Sequence, residues 1–325
     1  MAMDQLGPVL ARSIAAFEPL PASDEDALAG LFDSWRELAG DPTILPALSP
    51  LAGRLLELAD NQSAATIELT QIVESDPVLT GRILGLANSV ALGTSGKPIY
   101  EVIGAVIRLG VDAVFEAAFA QVAAQWLRGS TNVPDKSQLH DLWLEYLITA
   151  FCSREIANRL DTDDVKISVA YAAGLLHDVG TLGLSVIKPA PMGRFIRAGY
   201  CVGTPLYDSF VIAHTQLGGA LLRRWGTPDE LATVAERHHE GFAPDESATT
   251  GVVFLADHLH QPVLNHERSD FHREKNTPLG CFGGETNETS AALIGLGMDT
   301  ELDEIIERVA GESARIEVLA SAVSN

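Results

Sequence analysis

Residues 171–184 read YAAGLLHDVGTLGL, and this stretch decides how the rest of the chain is read. Its first half is small and apolar, as suits a helix enclosed on all sides. His177-Asp178 follows, and Gly180 marks the expected end of the helix. A helix end that turns an imidazole and a carboxylate to one side offers ligands to Fe, Mn, Zn or Mg. By itself His-Asp is a chance dipeptide. The apolar lead and the glycine single it out.

Working outward, nine histidines all fall within 140–272. His214 sits in AHTQLGGALLRRWGTP (213–228), His238-His239 closes LATVAERHH (231–239), and Asp257 lies in FLADHLH (254–260). Taken singly, each has an ordinary reading. A helix imidazole is commonly a satisfied core group, a histidine at a helix C-terminus is favoured by the dipole, and an aspartate is commonly solvated. Together they give the order His-Asp, His, His-His, Asp along consecutive helices.

The 325 residues are 46% apolar and 20% charged, which excludes a disordered chain or a disulfide-stapled miniprotein. Aromatics are 6%, alanine is abundant, and apolar residues recur at three and four. The expected fold class is all-α. With 22 basic against 44 acidic residues, the net charge of −22 repels phosphate backbones and anionic bilayers. No extended nucleic acid and no membrane are expected as partners. A small basic pocket for an anionic ligand stays open. Cys152, Cys201 and Cys281 are odd in number and widely spaced, which reads as a reducing compartment. The start MAMDQLGPVLARS lacks a secretory pattern, and a cytoplasmic location is expected.

The spacing predicts helices over 24–39, 51–59 and 63–75, then one capped by Asp76-Pro77. Two more follow, separated by Gly110, and a linker covers 129–136. Beyond it come helices over 138–160, 163–176, 205–225, 228–238 and 246–260. A surface loop covers 262–290, and a last helix begins near Thr300. Arg194, Arg197, Arg223 and Arg224 are read either as a local anion site or as solubilising helix faces, the second being favoured.

ILPALSPLAGRLLELADN (44–61), IELTQIVESDPVLTGRILGLANSVALG (67–93), PIYEVIGAVIRLGVDAVFEAAFA (98–120), LWLEYLITAFCSREIA (142–157) and YAAGLLHDVGTLGL together resemble the HDOD family of bacterial signalling proteins. That family lies within the HD superfamily of metal-dependent phosphohydrolases. The resemblance implies a multi-helix bundle. It divides the chain into an N-terminal helical extension (1–40), an HDOD domain (41–262) and a loop with a C-terminal helix packing back (263–325). The domain itself has an HDOD-specific part, 41–130, and an HD-like core, 137–262. The resemblance also implies a centre for one or two divalent ions built from Glu145, His177, Asp178, His214, His238, His239 and Asp257.

The sequence departs from active relatives at three points. Glu145 stands where active HD phosphohydrolases carry a histidine on the preceding helix, and Asp141 could supplement it one turn away. Thr181 stands where the cyclic-di-GMP phosphodiesterase branch carries lysine, and that branch's Gly-Tyr-Pro triplet is replaced by Glu240-Gly241-Phe242-Ala243-Pro244. Phosphoester hydrolysis needs an activated water and positive charge on the phosphoryl oxygens; the second requirement has no evident donor. Two readings follow. One is a signalling module that relays a stimulus to a partner protein, sensing a small anionic nucleotide if it binds a ligand at all. The other is a phosphohydrolase acting on a nucleotide or cyclic dinucleotide, with Asp178 bridging two ions as the catalytic carboxylate.

Overall fold

The computed structural model describes residues 20–40, 54, 55, 58, 65–88, 98–111, 113–115, 117, 118, 136–160, 164–198, 204–240, 247–266 and 302–324. Among these every regular element is a helix and no strand occurs, as the apolar spacing predicts. Residues 93–97, nearly all of the linker 129–136, most of the loop 262–290, Cys201 and Cys281 lie outside the described residues, as does most of the expected helix 51–59.

The hub is α6 (Lys136–Ala157), whose residues from Leu142 to Ser153 are all buried. A helix enclosed all round needs neighbours on every side. It has α7 (Ile167–Leu176), α12 (Ala248–Leu264) and the C-terminal pair α13 (Leu302–Gly311) and α14 (Ser313–Ser324) packed on it. Trp143, Tyr146 and Phe151 are among its large, fully buried side chains, each contributing about 1.5–3 kcal/mol through burial. The segment 167–187 is long and apolar enough to cross a bilayer by length and composition, yet 89% of it is buried inside the bundle. Its apolarity is that of a core element.

Upstream, α3 (Ala65–Glu74), α4 (Pro77–Ala87) and α5 (Val102–Leu109) pack on one another. Asp76 caps α4 as predicted: its carboxylate accepts from the Leu79 N–H at 2.9 Å, and Pro77 opens the helix. Asn88 acts as a splice. Its amide donates to the Ile99 carbonyl at 2.8 Å, and its Oδ1 accepts from the Ile99 N–H at 2.9 Å, joining the end of α4 to the approach to α5.

The expected helix 24–39 is two helices, α1 (Ala22–Asp33) and α2 (Trp35–Gly40). They meet at Ser34, whose hydroxyl donates to the Leu31 carbonyl. Such a local side-chain bond competes with continuation of the helix. Phe32 of α1 packs on both Phe195 of α9 (Pro189–Arg197) and Phe210 of α10 (Pro205–Arg224), with centroids 5.7 and 5.5 Å away. Arg194 forms a two-pronged ion pair with Asp24, and Arg224 donates to the Ala39 carbonyl at 3.2 Å. Arg223 pairs with Asp229 and Glu236. Arg194, Arg223 and Arg224 thus tie elements together while remaining exposed on helix faces. The Arg197 side chain lies outside the described set.

At the other end, His140 Nε2 stands 3.3 Å from Glu317 of α14, and this contact raises the imidazole above its ordinary pKa of 6.5. A pKa raised by folding contributes stability in full below the unfolded value. That contribution is lost as pH climbs through the folded value. The stability difference between wild type and His140→Gln, from urea melts at pH 5.5 and 8.5, should therefore shrink as pH rises. A difference independent of pH would contradict this role.

Candidate metal centre

α7 stops at Leu176, His177 continues its turn, and Asp178 leaves helical geometry at φ −110°, ψ 24°. A new helix, α8 (Val179–Ile187), starts at the next residue. The chain thus kinks at the His-Asp pair, and Gly180 does not end a helix as expected. It lies in the first turn of α8 because α10 runs against it: a Cβ there would fall 1.9 Å from the His214 carbonyl oxygen. Gly174 plays the same part between α7 and α6, where a Cβ would meet the Ala150 Cα and the Thr149 carbonyl oxygen at 2.9 Å each. These two close approaches bring His177-Asp178 up to α6 and α10.

The imidazoles share one orientation. The Nδ1 of His177 bonds the Gly174 carbonyl (2.7 Å), that of His214 the Phe210 carbonyl (2.8 Å) and that of His238 the Ala235 carbonyl (2.9 Å). A carbonyl only accepts, so Nδ1 carries the proton and Nε2 is left as a lone-pair donor. A carbonyl on the far ring nitrogen fixes the tautomer and orientation of metal-binding histidines in the same way. His214 is further held by the Phe210 ring, stacked at 4.4 Å and 22°.

The Nε2 atoms converge. Those of His214 and His239 are 2.9 Å apart, and one ligand atom from each of His214, His238 and His239 lies within 4.8 Å of the others. His214 Nε2 is 3.5 Å from Asp178 Oδ1, and His177 Nε2 is 3.4 Å from Asp257 Oδ1. A second group joins Glu145, Asp257 and His260, again within 4.8 Å. The seven residues singled out in sequence therefore lie in one connected set. Asp141 is half-buried beside His140, whose charge it favours, and neither group includes it. His260 was not singled out in sequence, although it lies one turn beyond Asp257 on α12.

The electrostatics call for a cation. Glu145, Asp178 and Asp257 are three carboxylates exposed by 2% or less. Both Asp257 oxygens and His238 Nε2 are buried with no hydrogen bond among the described residues. Burial, with the Asp257 charge beside it, pushes Asp178 up to about 7 against the opposing pull of His177 and the Thr181 hydroxyl. It also pushes His214 and His238 well down, and His239 down to about 4. Burial opposes charge on His177 and Asp257 too, but their mutual contact prevails, raising the imidazole and lowering the carboxyl. Buried carboxylates beside three imidazoles that burial keeps neutral, with several lone pairs unmatched, form a donor set that fits a divalent ion. His177, Asp178, His214, His238, His239, Glu145 and Asp257 would hold it, and it would supply charge neutralisation and Lewis acidity.

Thr181 takes a different part from the lysine it replaces. It is fully buried, and its hydroxyl donates to Asp178 Oδ1 at 2.6 Å. Ser185 in turn donates to the Thr181 carbonyl at 2.7 Å. The position orients the aspartate.

An all-α bundle with a His/Asp centre at a helix kink defines a protein of the HD-like class. The chain belongs to the HDOD domain family, which it matches over residues 45–241. It resembles a candidate signal transduction protein from Marinobacter aquaeolei VT8 over its whole length, at 22% identity and TM-score 0.67, spanning 66% of that chain. It also resembles an HDOD domain protein of unknown function from Geobacter sulfurreducens at 24% identity and TM-score 0.54, covering 87% of this chain and 97% of that one. A candidate metal-dependent phosphohydrolase from Shewanella amazonensis SB2B matches at 19% identity and TM-score 0.56, covering 93% and 99%. In sequence, an uncharacterised protein of Treponema pallidum (strain Nichols) is 23% identical over 204 residues, 60% of this chain and 38% of that protein. The chain thus spans well under half the length of this relative. The likeness to the solved structures is one of fold.

Proposed function

We propose that this protein is a signalling module. Its HDOD bundle relays a stimulus to a partner protein in the cytoplasm, and its buried centre holds one or two divalent ions that fix the arrangement of α6, α7, α10, α11 (Asp229–Arg237) and α12. The observation carrying this reading is Thr181, enclosed and bonded to Asp178 where a phosphodiesterase would present a cation to its substrate. Arginines with ion pairs make them elsewhere: Arg194 with Asp24, Arg223 with Asp229 and Glu236, Arg154 with Glu312 and Arg237 with Glu240. Phosphoryl transfer relies on such charges to stabilise its transition state. The acidic chain, at −22, favours a protein partner or a small ligand over nucleic acid or bilayer.

The second reading, a phosphohydrolase on a nucleotide or cyclic dinucleotide, is supported by the convergence of three carboxylates and the imidazoles, and by the fold shared with the Shewanella protein. There Asp178, held by Thr181, would orient the attacking water. Full-length protein loaded with Mn²⁺, Fe²⁺ or Zn²⁺ and incubated with a panel of nucleotides and cyclic dinucleotides separates the two. No turnover above that of Asp178→Ala is expected. Turnover that disappears in Asp178→Ala would transfer the assignment to the phosphohydrolase.

A further inference from the structure

We propose that His260 is a metal ligand in its own right, completing a subsite with Glu145 and Asp257 in which α12 supplies the imidazole absent at position 145 of α6. The inference rests on the centre binding metal at all and goes beyond that reading by naming a residue and a composition for one part of it.

His260 is oriented as the other three imidazoles are. Its Nδ1 meets the carbonyl of Asp257, three residues back, at 2.5 Å, so Nε2 is again the lone-pair atom. That atom faces Glu145 Oε1 at 4.0 Å, too far for a hydrogen bond. Two acceptors held face to face in a buried site repel unless a cation or a proton lies between them. Ligand atoms sharing one ion at ~2.0–2.2 Å stand about 3.0–3.6 Å apart, so small side-chain rotations close the Glu145–Asp257–His260 group around one. Independently, both oxygens of Asp257, with the residue fully buried, lack a hydrogen bond among the described residues. His260 itself is 2% exposed and lies on the same turn of α12.

The substitution on α6 then has a counterpart. Glutamate adds negative charge where, by the resemblance, active HD phosphohydrolases carry a neutral ring, and His260 returns a nitrogen donor. The subsite would hold two carboxylates and one imidazole, harder than the His214–His238–His239 group, and would favour Mn²⁺ or Fe²⁺ over a softer ion. His258, two residues away, gives an internal control. Its Nδ1 bonds the Phe254 carbonyl at 2.8 Å, but it belongs to neither group.

The test is titration of metal-free, full-length protein with Co²⁺, followed by visible absorption, with Mn²⁺ electron paramagnetic resonance as a second readout. In wild type we expect ion binding. In His260→Ala one class of site should weaken at least tenfold, with an altered d–d spectrum, while His258→Ala leaves both readouts unchanged. If His260→Ala folds poorly by circular dichroism, His260→Gly supplemented with free imidazole serves instead, and the lost class should return. Unchanged affinity and spectrum in a folded His260 variant would overturn the inference while leaving the metal centre intact. Wild type binding neither ion would overturn the metal centre itself.

Discussion

Gly180→Ala should produce a protein that is grossly destabilised or fails to accumulate. The added Cβ would sit 1.9 Å from the His214 carbonyl oxygen and 2.7 Å from its carbon. These are backbone atoms of a long helix, with no flexible side chain to swing aside. The cost should therefore exceed the ~1–3 kcal/mol usual for overpacking. Whatever folds should have α8 and α10 forced apart, with His214 drawn away from Asp178. Gly81→Ala is the matched control. Gly81 is an exposed residue of α4 with nothing within 4 Å of its would-be Cβ, so alanine should stabilise by about 0.5–1 kcal/mol. Thermal melts of the two variants should move in opposite directions. A Gly180→Ala protein melting with wild type would refute the close approach on which the site depends.

A second large effect should follow metal loading. A ligand that binds only the folded state at a hundredfold excess over its Kd adds about 2.7 kcal/mol, or on the order of 5–10 °C in Tm for a large domain. Saturating Mn²⁺, Fe²⁺ or Zn²⁺ should raise the Tm of wild type by roughly that amount. Asp257→Asn preserves the shape but removes the charge that His177 faces at 3.4 Å, and should lose most of the gain. Calorimetry with and without chelator measures both. Equal gains in the two proteins would exclude Asp257 from the centre.

The elements that sequence exposed were those with local physical signatures. Asp76-Pro77 is a capping chemistry visible in two letters, and the stripes of α10 and α11 follow helical spacing. The clustering of histidines in one half pointed to a site there, the resemblance supplied seven candidate residues, and the structure brings these into one connected set. What stayed hidden depended on neighbours distant in the chain. α8 and α9 stay hidden because Gly180 reads as a helix end, although it lies in the first turn of α8 and serves a helix crossing, and Pro189 opens α9. Arg194 and Arg223 looked like free cations because their partners, Asp24 and Glu236, are named only by the fold. His260 was one of several histidines in a short stretch, and only the approach of α6 distinguishes it from His258.

The phenylalanine cluster and the position of α12 bear on how this protein should be handled at the bench. A fragment trimmed to the matched stretch, 45–241, would leave out Phe32 and with it the cover over Phe195 and Phe210, and would also discard Asp257. Such a fragment would be sticky and poor in metal, and assays on it would report a blank that belongs to the scissors rather than to the molecule.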